Sequence, residues 1–202
     1  MAESSVQVNS GAGPKLHTWN RSITGPGSVE DEFMLPGEYP YPTFLAQANV
    51  SIATANDHAL QVMAGASLSL KIRRIRMWQE ANATAANVAL ITFVRLTSAG
   101  TGGTVLTVAK FDTGDTPGAT AMSLPTVKGT EGATLWTARL GLRQAFATTG
   151  PIGGTDVWEW VQLPNEKPII IPSGTANGIA CKVGGNAAAT ASFSIEFVEQ
   201  NF

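Results

Sequence analysis

Cysteine is nearly absent: one residue, Cys181, in 202. No internal disulfide framework and no all-cysteine metal site can therefore form within one chain. Histidine is almost as scarce, with His17 and His58 the only two. A zinc centre or a Ser-His-Asp site usually needs a histidine held by rigid neighbours. His17 sits in an irregular N-terminal stretch, and His58, in Asn56-Asp57-His58, reads as a polar ring on a surface turn. Charge is sparse, at 14% Asp, Glu, Lys and Arg, against roughly 25% in ordinary soluble domains. The 13 cations and 15 anions nearly cancel, which argues against a dedicated nucleic-acid binder, whose affinity rests on neutralising phosphates. No apolar run approaches the ~20 residues that span a bilayer. The opening Met1–Ser5 lacks the basic and apolar regions of a secretory signal. No long stretch repeats its apolar residues every 3.6 positions, so extended helices are not expected. The expectation is a soluble, intracellularly made, β-rich chain that binds neither membrane nor nucleic acid.

Small uncharged residues fill the space: 28 Ala, 22 Thr and 21 Gly. Residues 1–45 stand apart. Gly11, Gly13, Pro14, Gly25, Pro26, Gly27, Pro36, Gly37, Pro40 and Pro42 interrupt them too often for regular elements, since each proline removes a donor and restricts its predecessor. Yet Trp19, Ile23, Phe33, Met34, Leu35, Tyr39, Tyr41, Phe44 and Leu45 supply more apolar area than a solvated tail needs. An extended arm lying on its own domain or on a neighbour satisfies both facts. Glu30-Asp31-Glu32 makes that arm acidic, and Trp19, Phe33, Leu35, Tyr39, Tyr41 and Phe44 are its candidate contacts.

Residues 46–202 read as one β domain. A short strand is expected around Ala48, Val50 and Ile52. Leu68, Leu70 and Ile72 then alternate with polar neighbours, and the alternation slips one residue before Ile75 and Met77. A β-bulge at Arg73-Arg74 absorbs that slip and turns Lys71, Arg73, Arg74 and Arg76 outward. Further strands are expected over Val88–Leu96, Thr104–Phe111, Leu135–Phe146, Val157–Leu163, Ile169–Ile171, Ile179–Val183 and Ala191–Val198. Many short strands separated by turn clusters predict a sandwich or barrel. Long connections such as 112–134 favour a jelly-roll-like sandwich of about eight strands over a meander.

Asp112-Thr113-Gly114 matches the tripeptide around an aspartic-protease aspartate, but Asp115-Thr116-Pro117-Gly118 follows and the downstream apolar signature is missing. A Gly/Pro turn with solvated aspartates explains the same letters. Asp112 and Asp115 could bind Ca²⁺ with help from carbonyls, but calcium takes six to eight oxygen ligands and only two are visible. Gly100-Thr101-Gly102-Gly103 lacks the lysine and following helix of a phosphate cradle. No cofactor and no metal are called for. Trp136, Trp158 and Trp160 are candidate interface aromatics: on a sandwich such residues usually pack inside or between subunits. Exposed, they would instead offer a stacking platform for sugars. The basic strand Lys71, Arg73, Arg74, Arg76 is a candidate docking edge for acidic protein surface.

Leu70-Lys71-Ile72-Arg73-Arg74-Ile75-Arg76, Phe93-Val94-Arg95-Leu96-Thr97 and Gly100-Thr101-Gly102-Gly103-Thr104, with Asp112 and Ala119-Thr120, resemble small β-rich virion proteins of tailed bacteriophages. Pro168-Ile169-Ile170-Ile171-Pro172-Ser173-Gly174, Gly178-Ile179-Ala180 and Ser194-Ile195-Glu196-Phe197-Val198-Glu199 extend the resemblance over roughly residues 67–199. It implies a sandwich with a structural role in the particle, no catalysis, and no transferable functional residue. The expectation is a non-enzymatic capsid cement or decoration protein, a homo-oligomer (a trimer), partnered by the major capsid protein or other virion proteins. Its location would be the virion, assembled in the host cytoplasm. The competing reading is a tail or fibre module that recognises glycan.

Overall fold

A computed structural model describes the side chains and packing of residues 41–80, 88–142, 157–163, 166–184 and 189–200. It also gives the backbone of three short strands near the N-terminus and of Ala81 and Asn87. The chain divides into two units, Met1–Pro40 and Tyr41–Phe202. In the first, β1 (Glu3–Val6), β2 (Leu16–Arg21) and β3 (Val29–Asp31) pair antiparallel in that order. The glycines and prolines thus permit short pairings where the composition pointed to none. Trp19 lies in β2, but its side chain and all of Phe33, Leu35 and Tyr39 lie outside the described residues.

The second unit is all-β, with no helix among the described residues. Its strands are β4 (Thr43–Ser51), β5 (His58–Met63), β6 (Ser69–Ala81), β7 (Asn87–Leu96), β8 (Thr104–Leu106), β9 (Ala109–Lys110) and β10 (Thr120–Ser123). After them come β11 (Glu131–Leu142), β12 (Val157–Val161), β13 (Ile169–Ile171), β14 (Gly178–Val183) and β15 (Thr190–Gln200). They form two antiparallel sheets. One runs β11-β7-β14-β5-β10-β8; the other runs β12-β6-β15-β4-β9, with β13 beside β12 on the same edge of β6. Phe44, Ile75, Phe193 and Ile195 of the second sheet meet Leu60, Ile91, Phe93 and Ile179 of the first in one buried cluster.

Phe44 is fully buried in that cluster and pairs with Phe197 across β4 and β15. The boundary expected at residue 45 therefore moves to 40: Phe44 and Leu45 belong to the sheet, because their alternation continues that of β4. Tyr41, just before β4, is half exposed. The strand expected over Thr104–Phe111 is two strands in different sheets. The chain crosses from β8 to β9 through buried Val108 and closes that side of the core.

The loops at 98–103 and 124–130 zip together on the outer face of the first sheet. Thr101 and Val127 exchange backbone hydrogen bonds of 2.8 and 3.0 Å, and the Thr97 amide donates to the Thr130 carbonyl at 2.9 Å. The Gly100 amide donates to the buried Gln61 side chain at 3.3 Å. Met63, Val94, Leu96 and Ala180 of this face form a second buried cluster. The glycines there are needed for close approach: a Cβ at Gly103 would lie 2.4 Å from the Ser123 carbonyl oxygen, and one at Gly129 2.2 Å from that of Ser98.

Candidate functional site

Three groups of side chains stand out on this frame. The first is the basic strand. Along β6, Leu70, Ile72, Ile75 and Met77 are fully buried, and the slip between them is a bulge. Glu196 of β15 faces Arg74 and Phe197 faces Ile72, so Arg73 is the extra residue and is exposed. The bulge keeps the apolar side chains on the core face of both halves of β6. It leaves Arg74 and Arg76 on the outer face, where β12 supplies their counter-charge. The Arg76 Nε donates to Glu159 Oε1, and the Arg74 guanidinium lies 3.6 Å from the same oxygen and 3.9 Å from Glu196. The Arg76 hydrogen bond, with both guanidinium charges, holds the Glu159 carboxyl below the usual carboxylate range. Two of the four cations are thereby neutralised within the sheet. Lys71 and Arg73 have no ion pair among the described residues.

The second group is aromatic. β11 and β12 are edge strands of opposite sheets on the same side of the core. Strand alternation turns Trp136 of β11 and Trp158 and Trp160 of β12 inward. The Phe93 ring stacks on Trp136 at 4.7 Å and on Trp158 at 5.3 Å, while Trp136 lies 6.3 Å from Trp158 and 5.6 Å from Trp160. These rings use their faces on one another and seal the gap between the sheets, the packing arrangement aromatic pairs prefer. All three tryptophans are half-buried and pack against the core.

The third group is polar, and sequence reasoning missed it. His58 is not a surface ring: it is fully buried at the start of β5. Its Nε2 lies 3.2 Å from Glu131 Oε1, and Lys182 Nζ donates to Glu131 Oε2 at 2.8 Å. Lys128 pairs with Asp57 at 3.4 Å beside them. Burial raises the Glu131 pKa, but the hydrogen bonds from Lys182 and His58, aided by their charges, outweigh it and hold the carboxyl below its ordinary value. The cluster ties the start of β11 to β5 and β14. One buried carboxylate, Glu199, accepts from the Gly118 and Ala119 amides at 2.9 and 2.6 Å and fixes the 112–119 loop. Nothing in sequence marked these acids, because their partners are separated by dozens of residues.

Asp112 caps its own turn: the Gly114 amide donates to Asp112 Oδ1 at 2.8 Å and the Asp115 amide to the Asp112 carbonyl at 3.2 Å. That is the local bonding expected of a turn aspartate. Cys181 is fully buried among core side chains, and burial pushes its thiol pKa up, away from the reactive thiolate. No group of three or more His, Cys, Asp or Glu among the described residues could hold a metal ion. No helix among them is long and apolar enough to cross a membrane. No protein-family model, curated protein or solved structure matches the chain.

Proposed function

We propose that this chain is a non-enzymatic virion structural protein, a capsid cement or decoration protein. Its β body would sit on the shell as a homo-oligomer against the major capsid protein, and its N-terminal residues would fasten neighbouring subunits. The observation that carries the reading is the strand order. Taking β4, β5, β6, β7, β11, β12, β14 and β15 in turn as eight successive strands, the orders β4-β15-β6-β12 and β5-β14-β7-β11 place the first strand beside the last and the second beside the seventh. This order supports reading the body as a jelly roll, with β8, β9 and β10 as an insertion and β13 as a continuation of the β12 edge. Jelly rolls recur in viral capsid and lectin domains, and a fold alone does not choose between them.

Two features favour the particle over the glycan. The tryptophans stack on one another instead of presenting a free row of faces. The Met1–Pro40 unit carries Trp19, Ile23, Phe33, Met34, Leu35 and Tyr39, apolar side chains that docking on a neighbour would bury. Cryo-electron microscopy of particles assembled with the chain tests the proposal. Density for the β body on the head shell is the expected result. Density only at the tail tip replaces cement with receptor recognition, and absence from the particle removes the virion role altogether.

A further inference from the structure

Among the described residues nothing pairs with the outer edge of β12, the last strand of its sheet. We propose that this edge is a two-fold contact: the β12 strands of two copies pair antiparallel about Glu159 and join their sheets across the dyad. The inference stands on the strand itself and does not need the virion reading. It is also a two-fold contact, where the sequence expectation was a trimer.

The first argument is self-complementarity. Pairing about a two-fold axis is isologous, so each residue on one side of the centre meets its counterpart from the other side. The strand reads Val157-Trp158-Glu159-Trp160-Val161, the same in both directions. Val157 of one copy then faces Val161 of the other, and Trp158 faces Trp160, so valine meets valine on the outer face and tryptophan meets tryptophan on the inner one. Aromatic and β-branched cross-strand pairs of this kind stabilise sheets.

The second argument is the lack of edge protection. Exposed edges ordinarily carry lysine, proline, a bulge or an inward charge to prevent pairing. β12 has none of these. Its pairing with β6 runs without a break from Val157–Trp78 to Val161–Arg74, and Glu159 is its only charge. Val157 and Val161 remain 56% and 39% exposed.

The third argument is electrostatic. Two carboxylates facing each other at the centre of an antiparallel pair would destabilise it. Here each Glu159 is already bonded to Arg76 and lies 3.6 Å from Arg74 of its own chain. The dyad therefore gathers four guanidinium groups around two carboxylates, and the repulsion is screened before the copies meet.

The test uses the full chain. Light scattering over tens of micromolar (a range of the order that pairs weak interfaces) should give an even multiple of the 21.1 kDa chain mass. Mixing Val157→Cys and Val161→Cys chains under mild oxidation should yield a covalent dimer, since directly opposed Cβ atoms lie about 4.5–5.5 Å apart. Each variant alone should not, because two copies of one position are displaced by about 13 Å along the strands, beyond disulfide reach. The native Cys181 is buried and does not interfere. Val157→Lys, which installs an edge guard, should weaken association at least tenfold. A monomeric or strictly trimeric mass, a mixture that fails to cross-link, cross-linking by either variant alone, or indifference to Val157→Lys would each overturn the proposal. A monomeric or trimeric wild-type mass overturns the proposal even if a variant folds poorly.

Discussion

His58 shows how a single residue's role turns on what faces it. Glu131 is held ionised, so it can only accept, and His58 Nε2 is therefore the donor of the pair. Nδ1 has no partner among the described residues. The fixed point of the cluster is thus Glu131, which ties β5 and β14 to the first residue of β11. Its folded pKa lies below the ordinary 4.5, so its contribution to stability is fully present above that value and is lost as pH falls through the lower folded pKa. Glu131→Gln should lower unfolding stability at pH 7 by about 1 kcal/mol, below the roughly 1.5–3 of hydrogen bonds to charged groups because solvent screens the partly exposed Glu131. In denaturant titrations the gap between variant and parent should close at acid pH; a gap independent of pH would show the carboxylate is not what matters. Gly129 is a steric counterpart. A methyl there meets the Ser98 carbonyl oxygen at 2.2 Å, and the zipped loops cannot yield without breaking the Thr97–Thr130 bond. Gly129→Ala should cost about 1–3 kcal/mol, read as a lowered denaturation midpoint.

At the scale of elements, what could be read from sequence depended on whether a strand is buried on one face or two. β6 was legible in detail: its apolar residues recur at every second position, and the one-residue slip marks the bulge at Arg73-Arg74, where Arg73 is the extra residue. β5 was not. His58–Met63 is buried on both faces, by the core on one side and the zipped loops on the other, so no alternation survives and no strand was expected there. β8 and β9 failed for another reason. Residues 104–111 look like one strand, because nothing local marks that Val108 carries the chain from one sheet to the other. The polar cluster stayed hidden since Glu131 is 73 residues from His58. The tryptophans were legible as packing residues, and the seal they form between β11 and β12 sets the next expectation. Trp158→Ala combined with Trp160→Ala removes two rings from the inter-sheet gap and leaves Trp136 and Phe93 unsupported. The double variant should lose several kcal/mol of stability, on the scale of about 3–5 for one buried aromatic, visible as loss of near-ultraviolet dichroism at moderate denaturant. A stable double variant with only a glycan-binding defect would restore the recognition reading.

For the whole molecule, the division at residue 40 changes what the N-terminal segment is asked to do. Phe44 and Leu45 build the sheet, so the apolar side chains left to a fastener are Trp19, Ile23, Phe33, Met34, Leu35 and Tyr39. Three of them are contiguous. Burying Phe33, Met34 and Leu35 on a neighbour is worth about 4.5–9 kcal/mol at 1.5–3 per side chain. Ordering three residues of backbone costs about 3–6 kcal/mol. The surplus is small, so this segment can fasten a neighbour only where many copies act together, as on a shell, or where the adjoining Glu30-Asp31-Glu32 run adds charge pairing. Lys71 and Arg73, without an ion pair among the described residues, are cations of the kind such a run would meet. Deleting residues 2–40 spares β4 and the core, whereas a deletion to residue 45 would remove Phe44 and unfold the sheet. The shorter truncation should therefore keep the strand-rich circular dichroism of the full chain yet bind particles at least tenfold more weakly in co-sedimentation. Retained strand signal with undiminished particle binding would show that the body alone holds the shell, and that the acidic, aromatic N-terminal segment has another purpose.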